Sequence, residues 1–112
     1  MWICLNNSFV SIVENETNPE LVWVRSRKYD HLVNFIGTKD GITETPTRDY
    51  RYRVSIDKFT LSKIFAQSVH NINYGNFKSS VPDTDNDLYF FYNEVWNSGI
   101  HHLDPNWSKR HY

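Results

Sequence analysis

Six basic residues stand at spacings that could build an anion-binding surface: Arg25, Arg27, Lys28, Arg48, Arg51 and Arg53. Alternate side chains of a β-strand share a face. Arg25 and Arg27 alternate in Leu21-Val22-Trp23-Val24-Arg25-Ser26-Arg27, and Arg51 and Arg53 alternate in Tyr50-Arg51-Tyr52-Arg53-Val54-Ser55-Ile56. Strands that are neighbours and expose the same face would gather four guanidinium groups. Their forked donors suit carboxylates and phosphates, and Trp23 and Tyr29 could stack on arginine or on bases. The bland alternative is a solvated strand face whose arginines pair with acids. A formal net charge of −1 favours that alternative over a nucleic-acid surface.

Three further groups carry less chemistry. Asn73-Tyr74-Gly75-Asn76-Phe77-Lys78 reads as a recognition loop offering Tyr74 and Lys78, or as a helix-ending turn whose Phe77 plugs the core. His101 and His102 are adjacent, so on a helix they point about 100° apart and cannot share a metal without help. With one cysteine, Cys4, and no histidine pair four residues apart, no metal site is expected. His70 could act as a base, but no nucleophile is placed beside it. Phe90 lies off the main apolar stripe of the last helix and could anchor a partner. Phosphate-binding loops, dinucleotide glycine patterns, zinc spacings and nucleophile elbows are all missing from the sequence. No catalytic residue and no cofactor is assigned, and the reading leans away from an enzyme.

The elements that must position these residues follow from periodicity. Two apolar runs within residues 2–13 flank Asn6-Asn7-Ser8; this is one bulged strand or a tight hairpin, and the asparagine turn chemistry favours the hairpin. Residues 21–27 form the next strand. Tyr29, Leu32, Val33 and Ile36 make a short helical stripe ended by Gly37. A brief edge strand falls at 42–45. The clearest strand spans 50–56, with Tyr50, Tyr52, Val54 and Ile56 turned inward and Arg51, Arg53 and Ser55 outward. Asp57 caps a helix over about 58–72 with Leu61, Ile64, Phe65, Val69 and Ile72 on one stripe. The longest pattern runs from 86 to 103 and joins Leu88, Phe91, Tyr92, Val95, Trp96, Ile100 and Leu103 as a helix with a buried face. The expected fold is α+β: a small antiparallel sheet with two or three helices packed on one face.

Length sets one domain over 1–104, followed by a tail at 105–112. Four Trp, seven Tyr and seven Phe are more rings than a core of this size hides, so some should serve as surface anchors. The lone cysteine and a start without a basic, apolar leader point to the cytoplasm. No apolar run is long enough to span a membrane.

Several stretches resemble a family of small uncharacterised bacterial and phage-borne proteins. They are Met1-Trp2-Ile3-Cys4-Leu5-Asn6-Asn7-Ser8-Phe9-Val10-Ser11-Ile12-Val13, Val24-Arg25-Ser26-Arg27, Asp49-Tyr50-Arg51-Tyr52-Arg53, Ile72-Asn73-Tyr74-Gly75-Asn76-Phe77-Lys78 and Val95-Trp96. Their order covers roughly residues 1–96, and residues 97–112 depart from the pattern. The resemblance implies no catalytic role. The family's occurrence in mobile elements makes an anti-defence (anti-CRISPR-like) inhibitor the expected kind of protein.

The expectation is therefore a non-enzymatic binding protein that occupies a protein partner, such as a nucleic-acid-processing defence complex. Its binding residues are Arg25, Arg27, Arg51, Arg53, Tyr74, Lys78 and Phe90. A small nucleotide- or RNA-binding protein or enzyme using an Arg/Tyr/His surface is the less favoured alternative. A homodimer or larger homo-oligomer joined through Tyr89, Phe90 and the tail is a third.

Overall fold

Asn6 and Asn7 turn the chain between two short apolar runs, which pair as a hairpin. β1 (Trp2–Leu5) lies antiparallel to β2 (Ser8–Glu14), with Leu5 opposite Ser8. The structure, a computed structural model, describes residues 1–107; the remainder of the expected tail, 108–112 with His111, lies outside the described residues. β3 (Leu21–Ser26) runs back along β2 and leads into α1 (Tyr29–Ile36). That helix stops at Gly37, whose φ of 87° is open to a residue without a side chain and whose N–H donates to the Val33 carbonyl. β4 (Thr43–Glu44) forms one edge, and β5 (Tyr52–Asp57) inserts between β3 and β4. α2 (Lys58–His70) follows at once, its first turn capped by Asp57, which accepts the Thr60 N–H at 2.9 Å. A single 3₁₀ turn (Lys78–Ser80) precedes α3 (Asn86–Leu103).

The sheet is antiparallel throughout, in the order β1-β2-β3-β5-β4, and with its helices makes an α+β fold. One face holds Val10, Ile12, Val22, Val24 and Val54. Leu32 and Phe35 of α1 and Leu61 of α2 close over these valines to form the main core. Leu32, Val10 and Val24 are fully buried, and truncating Leu32 to alanine costs about 2–5 kcal/mol.

α3 docks at the turn end of the hairpin rather than along the sheet. Leu88 and Tyr92 join Phe9, Tyr50 and Val81 in a second cluster, with Phe77 packed against it. The Tyr92 hydroxyl lies 2.7 Å from the Leu5 carbonyl oxygen and 2.8 Å from that of Ser8, donating to one at a time. Those two carbonyls flank the Asn6-Asn7 turn, so one phenol ties α3 to the hairpin. Its burial pushes the phenol pKa far up, which keeps the donor proton in place.

His31 of α1 makes the second tie. Its Nδ1 accepts the Phe9 N–H at 3.4 Å, which leaves the proton on Nε2 to donate to Asp85 Oδ2 at 2.6 Å. Asp85 also caps α3 by accepting the Leu88 N–H at 3.1 Å. One buried imidazole thus links β2, α1 and the start of α3.

Three expectations need correction. The strand begins at Tyr52, not Tyr50. Thr45 takes the carbonyl of Arg51 through its N–H at 2.6 Å, and its hydroxyl reaches the Tyr50 carbonyl at 3.2 Å. The β3–β5 ladder starts only at Tyr52, and Tyr50 is buried against Phe9, Val81, Leu88 and Tyr92 rather than beside Tyr52 at the main core. α2 ends at His70 rather than about 72, and its apolar stripe is covered only in its first half: Leu61 is buried and Ile64 and Phe65 half-buried, while Val69, and Ile72 beyond the helix, are exposed. The long stripe of α3 buries Leu88 and Tyr92 alone; Phe91, Val95, Trp96 and Leu103 stay exposed. A hairpin end is too narrow to cover five turns of helix.

Burial opposes ionisation of Asp85, but the His31 bond, the Leu88 N–H and nearby Lys28 outweigh it and hold the carboxyl below its ordinary value. A carboxylate depressed in the folded state stabilises fully above its unfolded pKa and loses that contribution as pH falls through the folded one. Asp85→Ala should therefore cost about 1–2 kcal/mol at pH 7, the typical loss of an N-cap. Its stability should also fall less steeply than wild type below about pH 4. Urea denaturation at pH 7 and pH 3 measures both.

Candidate functional site

The second face of the sheet carries Trp2, Cys4, Phe9, Ser11, Val13, Trp23, Arg25, Arg53 and Ser55, the alternate set to the core valines. α3 covers its Phe9 end, where the Phe9 and Phe91 rings meet edge-on at 4.8 Å. Its outer strand end is open: Trp2 is 72% exposed, and Val13 is also exposed.

Register sets the chemistry of this face. Trp2 pairs with Ser11, Ser11 with Arg25, Arg25 with Arg53, and Arg53 with Thr43, a single row across all five strands. Two arginines thus stand directly opposite each other on β3 and β5. Like charges in that position destabilise a sheet by a few tenths of a kcal/mol up to about 1 kcal/mol.

The row is braced by aromatic rings. The Arg25 and Arg27 guanidinium carbons lie 4.7 and 4.2 Å from the centre of the Tyr50 ring, and that of Arg53 lies 5.8 Å from the Trp23 ring. Arg25 also donates to the buried Ser11 hydroxyl at 2.8 Å. The Nε atoms of Arg25 and Arg53 are both buried, and neither has a hydrogen-bond partner. Burial holds the Arg53 pKa below the usual guanidinium value; repulsion from Arg48 and Arg25 adds to this, while Asp49 and Glu16 oppose it. An arginine still carries its charge at neutral pH under such a shift. The result is a stacked, charged pair with no carboxylate in ion-pair contact among the described residues.

The seven expected binding residues separate into four places. Arg25, Arg27 and Arg53 come together around Tyr50 and Trp23. Arg51 does not join them: it precedes the strand and pairs with exposed Glu44, with Nη2 at 2.6 Å and Nε at 2.9 Å from one carboxylate oxygen. Tyr74 and Lys78 sit at the α3 end, where the Tyr74 ring lies 5.9 Å from Phe77 and the Lys78 ammonium 4.0 Å from the Trp96 ring. Phe90 is 62% exposed on α3 beside Tyr89. Lys28, one of the basic set, is taken by Asp87 at 2.8 Å and Asp85 at 3.6 Å.

Periodicity missed Trp2 and Tyr50 as members of the face. Trp2 could have been placed from the hairpin register, which follows from a two-residue turn. Tyr50 could not, because it precedes the strand and alternation does not extend to it. Among the described residues, no three His, Cys, Asp or Glu side chains gather as a metal site. Comparison with protein-family models, curated proteins and solved structures finds no match to the chain.

Arg53→Gln keeps a long polar stem against Trp23 and removes one of the two facing charges. It should raise stability by about 0.5 kcal/mol, the low end of a cross-strand pair. Chemical denaturation measures the shift.

Proposed function

We propose that the protein is a non-enzymatic binding module that acts by occupying an acidic surface of a partner protein with its open sheet face. The observation that carries this reading is the row in which Arg25 faces Arg53 among Trp2, Trp23 and Tyr50. A carboxylate placed over the two guanidinium groups turns a repulsive pair into a three-body attraction. Stacking on the rings already holds both side chains, so less conformational entropy is lost when the partner arrives. Trp, Tyr and Arg are the residue types that dominate interface hot spots.

The same face is poorly suited to a nucleic-acid backbone. Glu16 and Asp49 both act electrostatically on Arg53, so a polyanion laid along the face meets acids near the arginine row. A protein partner offers isolated carboxylates instead. The resemblance of the hairpin and arginine segments to phage-borne proteins directs the search to host defence complexes that process nucleic acid. Binding there would act as inhibition by occlusion.

Purified defence complexes tested by interferometry against the immobilised protein provide the test. A captured complex should lose affinity by about tenfold or more for Arg25→Gln combined with Arg53→Gln, and wild-type binding should weaken with salt. Undiminished binding by the double variant, or tighter binding of a labelled single-stranded oligonucleotide than of any protein complex, would contradict the reading.

A further inference from the structure

A groove of about 370 Å³ opens between the 75–78 loop and α3, and none of the row's arginines lines it. Phe77, Tyr92, Val95 and Trp96 give it apolar walls, Cys4 stands at its sheet side, and Lys78 is its one charged residue. The loop is fixed rather than draped. Asn76 accepts the Ser79 N–H at 3.0 Å, and the Ser80 hydroxyl donates to the Phe77 carbonyl at 2.5 Å. The Phe77 ring packs tilted against that of Tyr92, centroids 5.0 Å apart, and the Tyr92 hydroxyl points away to the hairpin carbonyls and leaves its ring to the groove.

We propose that this groove binds a small amphiphilic carboxylic acid, a free acid carrying an aromatic or branched hydrocarbon group. The Lys78 ammonium lies over Trp96 and 3.3 Å from the neutral Asn93 side-chain oxygen. No carboxylate stands within ion-pair distance of it among the described residues. Burial raises the Cys4 thiol pKa, so the sulfur brings no negative charge of its own. One uncompensated cation at the edge of aromatic walls matches one anionic group joined to an apolar body. A phosphate calls for several converging donors, which this wall does not supply. The volume falls in the range of small-ligand pockets, about 300–1,000 Å³.

The probe is 4-phenylbutyrate, followed by amide chemical shifts of the isotopically labelled full chain, with 4-phenylbutan-1-ol as its neutral counterpart. Saturable shifts confined to residues 4, 75–78 and 92–96 are expected. The alcohol should bind about tenfold more weakly, the factor for one modest ion pair. Lys78→Gln should bring the acid down to the affinity of the alcohol without changing the alcohol's own, and Lys78→Arg should restore the preference. Arg53→Gln should leave groove binding unchanged, which separates this site from the sheet face. Equal affinity for acid and alcohol, shifts centred elsewhere, or an unaltered preference in a folded Lys78→Gln protein would overturn the proposal.

Discussion

The register between β3 and β5 puts Arg25 opposite Arg53, and most of what is distinctive in this molecule answers to that juxtaposition. A sheet gains nothing from two facing guanidinium groups. Valines or threonines would fill the same positions at lower cost. Instead the neighbourhood is arranged to keep both charges in place: Tyr50 is folded back against Arg25 and Arg27, Trp23 lies beside Arg53, and Ser11 binds the Arg25 head. Such local conflict inside an otherwise consistent fold is where function is expected to reside.

The two faces of the sheet divide the work. The valine face, closed by α1 and α2, carries the stability of the domain. The other face is free to be polar because the core does not need it. α3 serves neither face fully. It is held at the hairpin turn by Tyr92 and by the His31–Asp85 pair, and it leaves its outer aromatic residues in solvent. That arrangement creates the Lys78 groove, since a helix laid flat on the sheet would leave no gap beneath Phe77 and Trp96.

Local chemistry was legible wherever a residue acts on its own neighbours. The Asn6-Asn7 turn, the stop at Gly37, the Asp57 cap and the bounds of α3 follow from turn and capping preferences, and the α+β class follows from their order. Alternation correctly grouped Arg25 with Trp23 and Arg53 with Ser55. It misplaced Tyr50 because a strand pattern does not reveal where its ladder begins; here the pairing of β5 with β3 starts only at Tyr52. The same limit separated Arg51 from Arg53. Helical periodicity likewise showed which residues of α2 and α3 share a stripe but not the width of what covers them. His31 carried no sequence signal, since its role exists only once α1 and α3 meet.

A double-mutant cycle on Arg25 and Arg53, each replaced by glutamine and followed by urea denaturation at low salt, measures the coupling between the two facing charges. If the facing charges are held against their own repulsion, the two single stability changes together will exceed that of the double variant in the stabilising direction, by about 0.5 kcal/mol. Strict additivity, or a coupling of the opposite sign, would show that the pair is not in conflict and remove the physical basis for an acid-seeking face.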